Sequence, residues 1–177
     1  MAEDASYHAG MERFNEAALV SHLDALKPKE RAAFALACVR RLVPSIRTDQ
    51  QTVGLVRACL ELLEASLVDD AAPRQALNEA LARLEKSPKL DDDAVASARF
   101  ALRARLRGAS QDAAWAARRA YDARDQRVWD ELGLKFSDPG AEAQVLANPL
   151  IQLELHAQRQ DIEALSAGRF STVLLGR

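Results

Sequence analysis

Between positions 53 and 67, five apolar side chains, Val53, Val56, Leu60, Leu63 and Leu67, recur at spacings of three and four residues. That spacing puts all five on one face of a helix. The rest of the chain invites the same reading, because its composition offers little else. Seven glycines and six prolines punctuate 177 residues, and aromatics make up only 5%. Alanine and leucine supply most of the hydrophobic half, and chains of this kind, poor in β-branched residues, favour helix. The fold class expected is all-α, in one domain long enough for a real core.

Turn chemistry then divides the chain. Residues 1–10 read as a flexible tail, and a first helix is expected from about Met11 to Lys27, with Phe14, Leu19, Leu23 and Leu26 inward. Pro28 suits the first turn of a second helix carrying Phe34, Leu36, Cys38, Val39 and Leu42, which Pro44 ends. Thr48 to Gln51 has the form of a capping box opening the third. A shorter helix holds Leu77, Leu81 and Leu84, and a fifth starts at the acidic triplet Asp91, Asp92 and Asp93. Carboxylates are favoured at a helix start, so the triplet reads as capping rather than as a metal site. The sixth helix enters through Ser110. After a loop from Gly133 to Gly140, the seventh begins at Asn148-Pro149 and stops near Gly168. About seven helices with short links, over 11–168, make a single compact bundle, followed by an apolar C-terminal tail, 169–177.

Charge limits the partners. Twenty-four basic and 26 acidic residues are mixed along the chain, for a net charge of −2, whereas a nucleic-acid binder normally carries a basic excess. No apolar run reaches the ~18–20 residues of a membrane span, and the polar start does not resemble a secretory signal. A cytoplasmic location is expected. Cys38 and Cys59 lie within apolar helical patterns and read as buried reduced thiols. His8, His22 and His156 form no metal-binding pair, and no phosphate loop or nucleophile elbow occurs. Neither a catalytic residue, a metal nor a cofactor is expected.

The segment from Gln111 to Leu132 concentrates two tryptophans, a tyrosine and four arginines. Trp115 and Trp129, fourteen residues apart, come to nearly one side, with Arg118, Arg119, Asp122 and Gln126 between them. Arg118 can reach Asp122, and Arg127 can reach Glu131, each at i,i+4. Structural pairing leads as an explanation, a protein-binding face comes second, and nucleic acid last. In the preceding helix Arg99, Arg103 and Arg107 form a stripe, either a solvated face or a surface for an acidic partner. No aromatic is read among the three.

In the last helix, Ile151, Leu155, Ile162 and Leu165 define an apolar face that also contains Gln158. A polar amide there must find partners or cost about 1–3 kcal/mol. Loop carbonyls are expected, with Glu154 and Asp161 joining a buried polar network. Together with AAWAAR at 113–118 and AFALACVRRLVPSI at 33–46, this helix resembles the YjaG-like family of small all-helical bacterial proteins. The likeness runs from about Leu19 to Leu165. Its markers are Arg40, Arg41, Pro44, the helix at 52–67, and Asn148-Pro149 with Gln152, Glu154 and Gln158. It implies a compact bundle in a bacterial cytoplasm and brings no catalytic residue.

The function expected is that of a non-enzymatic protein-binding module, most concretely an immunity protein that occludes a toxin. Its partner-binding residues would be Arg99, Arg103, Arg107, Trp115, Arg118, Arg119 and Trp129. A small-molecule pocket beside Gln158 and Glu154, or a structural homodimer, are the alternatives.

Overall fold

The computed structural model describes residues 12–45, 50–68, 73–89 and 92–176. Among them nine α-helices form, in the order α1 (Glu16–Asp24), α2 (Pro28–Leu42), α3 (Gln50–Val68), α4 (Arg74–Glu85), α5 (Asp93–Arg107), α6 (Ser110–Leu132), α7 (Ala141–Ala147), α8 (Pro149–Ser166) and α9 (Phe170–Leu175). The all-α bundle is therefore observed. The two helices beyond the expected seven, α7 and α9, have seven and six residues, too few for a periodic pattern. The first helix is shorter than its apolar pattern, because the Asn15 side chain caps it at the Ala18 N–H. The expected tail at 1–10 and the Thr48 capping box lie outside the described residues.

α2 is the central post. Every residue from Ala32 to Val39 is buried, so the helix is covered all round, by α3, α5, α6, α8 and α9. Against it lies a hairpin of α5 and α6, joined through Gly108 and Ala109. Its register is fixed by Ser97 Oγ donating to Ala116 O at 3.0 Å and by Arg119 pairing with Asp93 at 3.3 Å. The two helices meet through alanines: Ala94, Ala98 and Ala101 from one, Ala113, Ala116, Ala117 and Ala120 from the other, all buried. Small side chains let the backbones approach, which is where the alanine-rich composition is spent.

Several helix ends are closed by side chains. Asp92 accepts from the N–H groups of Ala94 and Val95, so within the triplet Asp92 is a cap. Arg31 donates to three carbonyls at once, Leu23 at 2.8 Å, Asp24 at 2.9 Å and Gly108 at 2.7 Å, tying the ends of α1 and α5 to α2. Gly108 itself has φ 69°, and a Cβ there would come within 3.0 Å of Pro28 Cβ.

The main core runs between α1 and α6 and takes in α8 and α9, where Val173 and Leu174 of the C-terminal segment are buried. A second cluster, Val128, Trp129, Ala141, Val145, Ile151 and Leu155, joins the far end of α6 to α7 and α8. No helix among the described residues is long and apolar enough to cross a membrane.

Candidate functional site

Two groups of charged side chains can be built from these elements. The first is inside. α8 carries Glu154, Gln158 and Asp161 on one side, and α2 brings Arg41 to meet them. Arg41 Nε lies 3.2 and 3.1 Å from the two Glu154 oxygens, and its Nη1 donates to Asp161 at 2.7 Å. Gln158 Nε2 donates to Glu154 Oε1 at 2.9 Å and to Ala117 O at 3.1 Å. The three α8 residues thus share a network, but its anchor is a helix carbonyl and the Arg41 guanidinium rather than a loop. Burial raises the Asp161 carboxyl above the usual range even though Arg41 opposes it. With its fork already filled by carboxylates, Arg41 holds α2 and α8 together and leaves little for a ligand.

Cys38 sits beside this network, 3.4 Å from Arg41 Nη2. Burial drives its thiol far above the ordinary value, and Cys59 is pushed up to about 11, again mainly by burial. Both thiols are free. A thiol attacks only as thiolate, so burial works against either thiol acting as a nucleophile. In the folded protein, an aromatic disulfide reagent should react with both cysteines at least about a hundredfold more slowly than in denaturant. Fast labelling of the native protein would show that one of them is reached.

The second group lies on the surface of the α5–α6 hairpin. Phe100 and Trp115 pack at 5.2 Å between ring centres, and Trp115 is 36% exposed. Arg99 lies over the Phe100 ring at 4.9 Å, and Arg103 over Phe100 and Trp115 at 5.5 and 5.9 Å. The arginine stripe does contain an aromatic platform: Phe100, beside Arg99 in sequence, is half of it, and the facing helix supplies the rest. A shallow groove bounded by Phe100, Trp115, Arg103, Arg118, Arg119 and Asp122 runs past these rings.

Pairing differs sharply among the guanidinium groups. Arg118 meets Asp122 at 2.8 Å and Arg127 meets Glu131 at 2.6 Å, the two i,i+4 pairs expected. Arg103 Nε is 3.0 Å from Asp112 Oδ1 but not aligned to hydrogen-bond it, and the Asp112 side chain is almost fully buried. Burial raises the Asp112 carboxyl, with Arg103 and Arg107 pulling the other way. Arg99 has no carboxylate partner among the described residues, and its Nε is buried with no acceptor.

One solved structure has a similar fold. A crystal structure of a DUF416 family protein from Shewanella baltica OS155 superposes with a TM-score of 0.68, over 84% of each chain, at 20% identity. The likeness is one of fold. No family model and no curated protein match the sequence.

Trp129 corrects the expected binding face. It is only 9% exposed and belongs to the second core cluster, against α7 and α8, while Trp115 faces out. Fourteen residues rotate a helix position by roughly 40° and advance it ~21 Å, far enough to meet other neighbours. Arg99, Arg103, Arg118 and Arg119 do gather around Phe100 and Trp115, and Arg107 is exposed at the end of the stripe.

Proposed function

We propose that this chain is a non-enzymatic protein-binding module that offers the α5–α6 face to an acidic surface of its partner. One observation carries the reading: Arg99 stands unpaired by any described carboxylate, laid over a half-buried ring next to an exposed tryptophan. Aromatic and arginine side chains clustered in this way are what interface hot spots are made of. An immunity protein that occludes a toxin is the most concrete form of the proposal, supported by analogy with small helical inhibitors. Kinship with the YjaG-like family is proposed on the helical segments at 33–46, 113–118 and 148–165.

The test is capture of partners from the native host by the tagged protein and by an Arg99→Glu variant. Arg99 has no carboxylate partner among the described residues to strand, so the variant should melt with the wild type while binding at least about tenfold more weakly. Undiminished capture by the variant removes this face from the proposal. Arg103→Glu is a poor probe of binding, because it leaves buried Asp112 facing a like charge and should lower the melting temperature.

A second reading has its own observation. An open groove between α1 and α8, walled by Leu19, Leu155, Gln158 and Ile162, is mostly apolar and has a volume of about 660 Å³. A small apolar molecule bound there would raise the melting temperature in a ligand screen.

A further inference from the structure

α6 shows a different side to the loop at 133–140 and to α7. There Tyr121, Asp125 and Trp129 follow at four-residue spacing, so one carboxylate stands a single turn from each of two rings. Each ring is doubled. Phe14 packs on Tyr121 with centres 5.3 Å apart, and Phe136 packs on Trp129 at 4.6 Å. The result is an open trough of about 640 Å³ with an aromatic pair toward either end.

Its charge is lopsided, with Asp122, Asp125, Asp138 and Glu142 set against Arg13 and Arg118. Asp122 is engaged by Arg118, and Asp138 accepts the Lys135 N–H at 2.8 Å. Asp125 has no ion pair among the described residues, and its side-chain partner is the Trp129 indole. Burial, reinforced by Asp122, disfavours its negative charge by more than the Trp129 indole and the Arg118 guanidinium offset, so a further cation placed there would be welcome.

The trough also shows what its rings can hold. The Arg118 guanidinium lies over Phe14 at 5.3 Å and over Tyr121 at 6.0 Å. No cation of the described residues lies over Trp129 or Phe136, and Phe136 is 85% exposed. It stands on a loop that turns at Gly133 and Gly140, both at positive φ. The Phe136 face turned away from Trp129 is open to a cation, in the same trough as a carboxylate with no ion pair among the described residues.

We propose that this trough binds a small organic cation, an alkylated ammonium or a guanidinium, with the open face of Phe136, backed by Trp129, as its wall and Asp125 as counter-ion. The site lies apart from the α5–α6 face and does not depend on that reading.

Trp115→Phe leaves Trp129 as the sole tryptophan, so its fluorescence reports on the trough. The full chain with this substitution is titrated at constant ionic strength with tetramethylammonium, with acetyl-arginine amide, and with neopentyl alcohol as a neutral match in shape. At least one cation should give a saturable change that the alcohol does not. Asp125→Asn and Phe136→Ala should each weaken it roughly tenfold. Phe136→Ala removes an exposed ring, so a melting curve like the parent's keeps the test sound if Asp125→Asn folds poorly. Tighter binding of a short peptide containing the same arginine would assign the cation to a partner's side chain; equal binding would assign a free cation. No saturation with either cation, an equal response to the alcohol, or affinity unchanged in Phe136→Ala overturns the proposal.

Discussion

Replacing Arg41 with methionine should lower the free energy of unfolding by about 3–5 kcal/mol. Methionine keeps much of the stem and removes the charge, so the loss reports on what the guanidinium holds. Glu154 is left with a side chain only 2% exposed, and Asp161 with one 18% exposed, the two facing each other without a cation. Glu154 cannot reach water without moving α8 away from α2, whereas Asp161 already touches it. For a domain of this size each kcal/mol shifts the midpoint by roughly 2–4 °C, so thermal unfolding should fall by on the order of 10 °C. Arg41→Lys should fall between, since an ammonium keeps the charge but cannot fork to two carboxylates. Adding Glu154→Gln to the methionine variant should restore part of the loss by removing a stranded charge. A midpoint within ~2 °C of wild type would show that the network does not hold the bundle together.

Phe34→Ala should cost about 3–5 kcal/mol, through lost burial and through the cavity left behind. Phe34 is fully buried at the centre of α2, and its neighbours on both sides in sequence are buried too, so no flank of the helix can collapse into the space. Leu153→Ala is the matched control: Leu153 is 64% exposed on α8, and its loss should change stability by less than ~0.5 kcal/mol. Urea unfolding of both variants decides the matter. A Phe34→Ala loss near that of the control would mean that the core around α2 repacks freely.

The helices themselves were legible because the chain repeats its apolar residues at helical spacing. Val56, Leu60, Leu63 and Leu67 are buried along α3, and only Val53, nearer its start, is left half-buried. Short elements carry no such signal, so no element is read at 141–147, where α7 forms, and α9 reads as tail. The inner network was half legible. Glu154, Gln158 and Asp161 share a helix, and spacing groups them, but Arg41 lies 113 residues from Glu154, and no spacing rule crosses that distance. A clue was present in Arg41 itself, a charge that follows within one turn of the apolar run from Ala32 to Val39. Trp129 was misjudged because helical phase fixes the side of α6, not what lies opposite each of its turns. Phe100 was overlooked for a simpler reason: a stripe read only at i,i+4 omits the residue beside it.

The central position of α2 has a consequence for the order in which the chain is made. Arg40 and Arg41 take partners 113 to 134 residues further along, in α8 and α9. At synthesis rates of ~5–20 residues per second, the wait between α2 leaving the ribosome and its last covering helices following is roughly 6–25 s. For that interval a helix meant to be enclosed on every side has company on only some of them. The nascent chain therefore holds an apolar flank in water for that interval, and a product cut short before α8 would leave the ribosome with the flank of its central helix that α8 and α9 cover still exposed.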